Sequence, residues 1–356
     1  MTEIHQILVG AGRTDAITNM ARNLRSSLRD LGRSEIFAQH PSPDITDVIP
    51  LDEFPQKYST KRTIIFHASG GDKEVHRFLQ NSSDPLVLIF HNITPAHYFE
   101  NFDPIRAGSL REGWSELEFL RSKVVLSIAD SPYNAKGLKQ IGYKNVVVLP
   151  LGVETSRLQK LTSDPAMLHR IERETSGHLL LYVGQAVPHK RPEVLIQTQS
   201  LLTQYLGRNT SLALVGPPTL PIVNDAAFQQ SQRLHVPNCL FLGQVSDTEL
   251  TALYQQADIF LTASMHEGLC IPVLEAMAAG VPTISRNIAA LPDTVGTAGI
   301  LLPPDAGPEL FAEGVVELLE NKDLYKQLTT SGKQQAKSFC SSSTTKTFLN
   351  MLAELD

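Results

Sequence analysis

The segment SMHEGLCIPVLEAMAAG (264–280) sets two glutamates, Glu267 and Glu275, eight positions apart in a run with no other charge. DIFLTAS (258–264) reads as a buried strand and SMHEGLC as the loop at its carboxyl end. IPVLEAMAAG reads as a helix with Pro272 in its first turn and Gly280 at its C-terminal cap. Open α/β sheets bind ligands at that edge. The N–H groups around Gly268, Leu269, Cys270 and Ile271 have no helical acceptor and stand at a positive helix end, which suits phosphate. Glu275, read as lying in the first turn, would offer two oxygens to a ribose diol. Glu267, before the turn, would face whatever lies beyond the phosphates. Taken singly, each glutamate reads first as a partner of the helix dipole or as a solvated loop residue.

A second stretch, VGQAVPHKRPEVLI (183–196), repeats the arrangement: a strand ending in Gly184, a loop, and a helix opening near Pro192, with Lys190 and Arg191 just before it. A cation about 4 Å from a diphosphate oxygen is worth roughly 4 kcal/mol at an effective dielectric near 20. That is enough to hold a nucleoside diphosphate and to stabilise its departure. By itself HKRP is an ordinary solvated basic loop.

The elements that must position these residues alternate, apolar runs with longer helix-like segments, as in parallel sheets connected by helices. The expected strands are 4–10, 63–68, 86–92, 124–130 and 145–150, then 179–184, 211–216, 239–243, 258–264 and 282–285. A helix over 19–32, stopped by Gly32, fits between the first two. The joint between two successive α/β units falls near LPLGVETSRL (149–158), where a strand ends at Pro150 and Gly152 breaks the chain. The last segment, roughly 335–356, is helical in pattern after the polar run SSSTTK (341–346).

Composition bounds the rest. With 356 residues, 42% apolar and 19% charged, two globular domains with a cleft are expected. No leader pattern or membrane-spanning apolar stretch is found, so a cytoplasmic location is expected. The three cysteines, Cys239, Cys270 and Cys340, have no CxxC spacing and read as reduced, buried thiols. Residues 1–152 carry 17 basic and 17 acidic side chains, so the net charge of −6 lies wholly in the remainder. With no basic run or aromatic-basic interleaving, nucleic acid is set aside as a partner.

Together these motifs resemble the retaining, nucleotide-sugar-dependent glycosyltransferases of family 4, with the GT-B architecture. HEGLCIPVLEAMAAGVP (266–282) is similar to the family's E-x7-E element, GQAVPHK (184–190) to its phosphate loop, and ALPDTVGTAGILLPP (290–304) and GQVSDTELTALYQQADIFLTAS (243–264) to looser patterns. TDAITN (14–19), FHASGG (66–71), VLIFHNITPAHYFE (87–100) and ADSPYNAKGLKQIGYKNVVVLPLGV (129–153) resemble one subgroup, for which HNITP is the most specific piece.

The resemblance implies an α/β fold of two Rossmann-like domains whose parallel sheets face a central cleft. It implies an acceptor-side domain over 1–152, a nucleotide-sugar-binding domain over 153–337, and a terminal helix of about 338–356 packing back on the first. It implies that His91 faces the donor sugar near the anomeric centre, although a histidine at a strand end reads by itself as structural. Glu275 would bind the ribose, Lys190 the diphosphate, Gly268 to Ile271 the phosphates and sugar hydroxyls through their backbone, and Glu267 the sugar. Val245 would lie near the base, and Gly12 and Arg13 would approach the diphosphate from the first domain. Three positions depart from the pattern: Gln185 stands where an arginine is usual, removing one positive charge, with Arg191 its only near substitute; Leu269 stands where an aromatic is frequent; and Thr14 stands where a glycine often precedes the DAI triplet.

The implied chemistry is hexose transfer from a nucleotide sugar, expected to be a UDP-sugar such as UDP-glucose, with charge on the leaving diphosphate stabilised by Lys190 and two helix starts. No DxD triplet occurs, and neither metal nor other cofactor is expected. The acceptor, a sugar, a polysaccharide precursor or a lipid-linked glycan, would meet Asp15, His97, Phe99 and the segment around Trp114. Arg22, Arg25, Arg29 and Arg33 follow helical spacing and read first as a solvated face, second as a contact for anionic lipid at the inner face of the cytoplasmic membrane. The alternatives are a nucleotide-sugar epimerase or hydrolase of the same fold, and a non-catalytic nucleotide-sugar-binding protein. An NAD-dependent oxidoreductase is poorly supported, because GAGRTD (10–15) lacks the third glycine.

Overall fold

The computed structural model describes residues 2–13, 15–55, 61–151, 153–154 and 157–355, the side chains of 341–343 excepted. Thr14 and Gly152, singled out above, lie outside the described residues. The chain divides into two compact units, Met1–Val153 with Ser341–Asp356, and Glu154–Cys340.

The first unit runs β1 (Glu3–Ala11), α1 (Ala16–Leu28), β2 (Ile36–Pro41), β3 (Ile49–Pro50), β4 (Arg62–Ala68), α2 (Lys73–Asn81), β5 (Leu86–Phe90), α3 (Pro104–Leu120), β6 (Val124–Ala129), α4 (Pro132–Gln140) and β7 (Val146–Val148). Its strands form one parallel sheet in the order β3-β2-β1-β4-β5-β6-β7. Every residue of β4 and β5 is buried, as in strands covered on both faces. The register pairs Leu8 with His67, Ala68 with Phe90, and Phe90 with Ala129, so the carboxyl ends of β1, β4, β5 and β6 lie side by side.

The second unit runs α5 (Pro165–Glu174), β8 (His178–Val183), α6 (Pro192–Ser200), β9 (Thr210–Val215), α7 (Pro221–Arg233), β10 (Cys239–Gly243), α8 (Asp247–Gln256), β11 (Ile259–Thr262), α9 (Ile271–Ala279), β12 (Thr283–Arg286), α10 (Leu291–Val295), β13 (Ile300–Leu302), α11 (Pro308–Glu320) and α12 (Lys322–Ser338). Its parallel sheet has the order β10-β9-β8-β11-β12-β13. The order reverses between β8 and β11, so the loops leaving these two strands diverge and open a crevice at their carboxyl ends. In the first unit the same reversal falls between β1 and β4.

Strands β2, β3 and β13 were not expected. IFAQHP closes on polar residues and a proline, and runs of two and three residues are shorter than the patterns that reveal strands. Helix α1 begins earlier than expected, at Ala16, because the Asp15 carboxylate accepts from the N–H of Thr18 at 2.8 Å. It ends at Leu28, so Gly32 is not its stop. A Cβ at Gly32 would meet the carbonyl oxygen of Thr2 at 2.1 Å, and the glycine serves that close approach.

The arginines of the α1 row are spent in ion pairs. Arg22 and Arg25 each reach Asp47 at 2.7 Å, Arg29 reaches Glu35 at 3.0 Å, and Arg33 lies 3.8 Å from Glu3. The hydrogen bond from Arg22, joined by that from Arg25, holds Asp47 well below the usual carboxylate range against the effect of burial. The row therefore stitches the helix to the segment between β2 and β3. Among the described residues no helix is long and apolar enough to cross a membrane.

The final helix, α13 (Ser341–Ala353), opens on the polar run SSSTTK and belongs to the first unit. Phe348 and Leu352 enter a core cluster with Ile4, Leu24, Leu28, Leu149 and Leu151, and Phe348 is wholly buried. Phe348→Ala is expected to destabilise this unit by about 3–5 kcal/mol. The single tryptophan, Trp114, lies in the same unit, so its fluorescence during urea unfolding measures the loss.

Candidate functional site

In the second unit the loop after β8 depends on two glycines. A Cβ at Gly184 would meet Tyr182 Oη at 2.4 Å, and one at Gly216, where φ is +141°, would meet the Gly184 carbonyl oxygen at 2.0 Å. The chain then turns through Pro188–Lys190, and Arg191 adopts a left-handed conformation (φ 53°) just ahead of α6. The loop after β11 does likewise: Cys270 is left-handed (φ 66°) just ahead of α9. Neither helix start has a capping side chain, although α1 to α5 and α8 all do. In the first turns Pro192 and Pro272 carry no N–H, and those of Val194 and Val273 donate to Arg191 O and Cys270 O at 3.1 Å, which leaves the N–H groups of Glu193 and Ile271 without a helical acceptor.

The two loops are joined. The N–H of Met265 donates to the carbonyl of His189 at 2.7 Å, and Lys190 Nζ donates to Glu267 Oε1 at 2.6 Å. The Lys190 side chain is 19% exposed and that of Glu267 8%. Burial works against the Lys190 charge, and the Glu267 carboxylate outweighs it, holding the ammonium above its ordinary range. Burial, with Glu267 beside it, pushes the Cys270 thiol well above its ordinary value, so that it is inert. The loop is fixed on its far side by Thr294 Oγ1 donating to Leu269 O at 2.5 Å and Ala290 N–H to Glu267 O at 3.3 Å. Arg286 of β12, buried, clips the strand end by donating to Ala263 O at 2.6 Å and Ala306 O at 2.7 Å.

Helix α9 opens at Ile271, as expected, which makes Glu275 its fifth residue, just beyond the first turn to which it was assigned. Its carboxylate accepts from Tyr254 Oη at 3.2 Å and lies 3.6 Å from Arg157, which also pairs with Asp247. Burial raises its pKa, while Arg157 and Tyr254 oppose the rise. Arg191 pairs with Glu193, and Gln185 is exposed. Val245 is half-buried, one residue before the Ser246 cap of α8. Gly268 and Ile271 are half-buried, and Leu269 and Cys270 are buried.

In the first unit, Gly12 donates its N–H to Thr18 Oγ1 at 3.1 Å, and Arg13 is exposed. Asp15 caps α1, its Oδ2 taking both the N–H and the hydroxyl of Thr18. One expectation for the acceptor side is corrected here. Phe99 is wholly buried beneath the Arg106 guanidinium, 4.3 Å from its ring centre, and is a core residue. His97 is exposed and packs on Tyr98. Trp114, half-buried, meets Phe90 edge to face.

His91 stands at the carboxyl end of β5, its Nδ1 2.6 Å from Asp130 Oδ2 and its Nε2 2.8 Å from His67 Nδ1. The reading of the sequence missed His67, Gln6, Asp130, Arg157 and Tyr254 as site residues. For the first three a signal was present: a polar residue, Gln6, His67 or Asp130, in or just after each of three largely apolar strands, in IHQILVG, TIIFHA and VVLSIAD.

Comparison with known proteins places residues 167–335 on the family model of glycosyl transferases group 1. O-antigen chain mannosyltransferase B of Escherichia coli is 32% identical over 160 residues, 45% of this chain and 41% of that protein. The GDP-mannose-dependent alpha-mannosyltransferase of Mycobacterium tuberculosis (strain CDC 1551 / Oshkosh) is 24% identical over 243 residues, 68% of this chain and 60% of that protein. The chain thus spans less than two thirds of either relative. The crystal structure of Anabaena HepE in complex with UDP and glucose matches 99% of both chains with a TM-score of 0.78 and 16% identity. The fold is α/β of the GT-B kind, two Rossmann-like units each built on a parallel sheet.

The Lys190–Glu267 pair sets a measurable constraint. Glu267→Gln leaves a mostly buried ammonium without its counter-charge and is expected to cost about 3 kcal/mol, with over half regained in the double variant Lys190→Met/Glu267→Gln. Calorimetric unfolding checks both. Because the folded Lys190 pKa is raised, this stabilisation is complete below the ordinary lysine value of 10.5 and is lost as pH rises through the folded value. The gap between wild type and double variant is therefore expected to close in that alkaline range.

Proposed function

We propose that this chain is a retaining hexosyltransferase of the HNITP-bearing subgroup. It would move a hexose from a nucleoside diphosphate sugar to a sugar, polysaccharide-precursor or lipid-linked acceptor without a metal. The observation that carries the reading is the buried Lys190–Glu267 pair set between two uncapped helix starts at the β8/β11 reversal, inside the segment that matches glycosyl transferases group 1.

Lys190 uses one of its three N–H donors on Glu267 and keeps others for a diphosphate oxygen. The N–H groups at the starts of α6 and α9 supply fixed dipoles of the same sign. With Gln185 in place of an arginine, and Arg191 held by Glu193, the positive charge offered to the phosphates falls mainly on Lys190. Glu275, raised by burial, is a carboxylate that gains from further donors, and a ribose diol offers two. By the family resemblance, Val245 meets the base, Glu267 the sugar hydroxyls, and His91 the sugar near the anomeric carbon. In the transfer the bond from anomeric carbon to phosphate oxygen breaks, and the acceptor oxygen bonds to the same face. The acceptor proton passes to the departing phosphate oxygen. Glu267, tied to Lys190, is not assigned as a nucleophile.

The donor expected from sequence is a UDP-sugar such as UDP-glucose. A second reading, GDP-mannose, is favoured by the names of two relatives, a mannosyltransferase and a GDP-mannose-dependent alpha-mannosyltransferase. Thermal shift with UDP, GDP, ADP and NAD separates the two, since a ligand at 100 times its Kd adds roughly 2.7 kcal/mol. Stabilisation by UDP supports the first donor and by GDP the second; a response to neither removes the transferase reading. Glu275→Ala is expected to weaken diphosphate binding by about tenfold or more, as for a lost charged hydrogen bond, whereas Glu267→Ala mainly lowers turnover with acceptor. Isothermal titration beside product assay checks this division, and equal losses of binding in both variants would contradict it. Turnover of donor to free hexose or an epimer, unaffected by any acceptor, would point to the hydrolase or epimerase instead.

A further inference from the structure

In the first unit four buried side chains, one within β1, one within β4 and one just after each of β5 and β6, form one hydrogen-bonded line. Asp130 Oδ2 lies 2.6 Å from His91 Nδ1, His91 Nε2 lies 2.8 Å from His67 Nδ1, and His67 Nε2 lies 2.8 Å from Gln6 Oε1. Gln6 Nε2 then donates to the carbonyl of Ala21 at 3.0 Å. The two imidazole planes are within 3° of parallel. Gln6 is fully buried, His67 is 2% exposed and Asp130 4%, and the His91 side chain is 4% exposed.

The far end of the line fixes its protons. A backbone carbonyl only accepts, so the Gln6 amide nitrogen faces Ala21 and its oxygen faces His67. His67 Nε2 must then carry a hydrogen. Burial, then the adjacent His91, holds His67 well below its ordinary range, so the ring is neutral and its Nδ1 is a lone pair. That nitrogen can only accept, which puts a hydrogen on His91 Nε2. One further proton lies between His91 Nδ1 and Asp130, where a carboxylate beside an imidazolium forms a short charge-assisted bond.

We propose that Asp130, His67 and Gln6 hold His91 as a doubly protonated ring whose charge is matched by the Asp130 carboxylate, so that His91 serves the reaction as a fixed group and not as a proton donor or acceptor. Both its nitrogens are bonded within the protein, and neither is left for a substrate. His67 and Gln6 are positioning residues, acting only through His91. Their part in glycosyl transfer rests on the reading given under Proposed function, whereas the protonation pattern does not.

The test is nitrogen NMR of the full chain labelled with 15N-histidine at pH 7, with signals assigned by single variants. The expected result is hydrogen on both nitrogens of His91 and on Nε2 alone of His67. A singly protonated His91, or hydrogen on His67 Nδ1, overturns the proposal. In His67→Phe, which keeps the ring but removes the acceptor, His91 is expected to keep hydrogen on Nδ1 only. Turnover is then expected to fall about tenfold with the donor KM changed less than about twofold. His67→Asn, whose amide oxygen can take the place of Nδ1, is expected to restore both readouts. Unchanged turnover in His67→Phe despite the altered His91 signals refutes the positioning role. If the wild-type chain transfers no sugar from any donor, the functional reading fails while the NMR pattern still decides the state of His91.

Discussion

The second unit depends on one buried ion pair. Taking Lys190 and Glu267 out of water is unfavourable, and the pair persists only because each meets the other at 2.6 Å in a place where neither has an equivalent partner. What it secures is geometry. The loops leaving β8 and β11 diverge at the reversal of strand order, and strand pairing alone does not set the distance between them. The pair, with the backbone bond from Met265 to His189, supplies that distance and aims two helix starts at one crevice. Replacing it with apolar side chains of similar volume would be nearly neutral for stability, and would leave the crevice without charge.

The helix starts themselves are unusual for this chain. At α1 to α5, α8 and α12 an Asp, Asn or Ser accepts from the first turn, in three cases with proline next: Asp103–Pro104, Ser131–Pro132 and Asp164–Pro165. Helices α7, α10 and α11 have no capping side chain, but of α1 to α12 only α6 and α9 start from a left-handed residue. At α6 and α9 proline is kept near the helix start, but the capping oxygen is replaced by Arg191 and Cys270 in left-handed backbone. Each such residue costs of order 1 kcal/mol or more, and the absent cap roughly another 1. The left-handed residues, unlike the missing caps, are confined to the two helix starts that border the crevice. The first unit shows a related strain at Asn92 (φ 93°), directly after His91, with the side chain tied to Asn134 at 2.6 Å.

How much of this could be read beforehand follows from how local each feature is. Strand ends, the prolines and Gly280 are local signals, and most elements and the loops carrying Lys190 and Glu267 were legible from them. The start of α9 at Ile271 was legible, but the partners of Glu275 were not: nothing in CIPVLEA announces Tyr254 and Arg157, which meet its carboxylate from positions distant in sequence. Phe99 failed as an acceptor contact for a similar reason. An aromatic beside a histidine motif looks available in sequence, but Arg106 covers it. The α1 arginines looked like a free cationic row until Asp47, in a segment with no readable pattern, paired with two of them.

The two units reach the same end by different electrostatics. In the second, opposite charges are buried together, and the surplus donors of Lys190 face the crevice. In the first, a line of side chains passes a single proton assignment from the Ala21 carbonyl through Gln6 and His67 to His91, with one charge pair at its end. Each arrangement orients its polar groups before any ligand is present, so that little reorientation is left for the moment when charge develops on a bound group. The cost is paid in folding stability, through desolvation of Lys190, Glu267 and Glu275 and through the buried Asp130 Oδ1, which has no hydrogen-bond partner among the described residues. Burying these groups weakens the isolated fold, and that is the physical reason to read them as serving a ligand: packing alone would have favoured apolar side chains at the same strand ends.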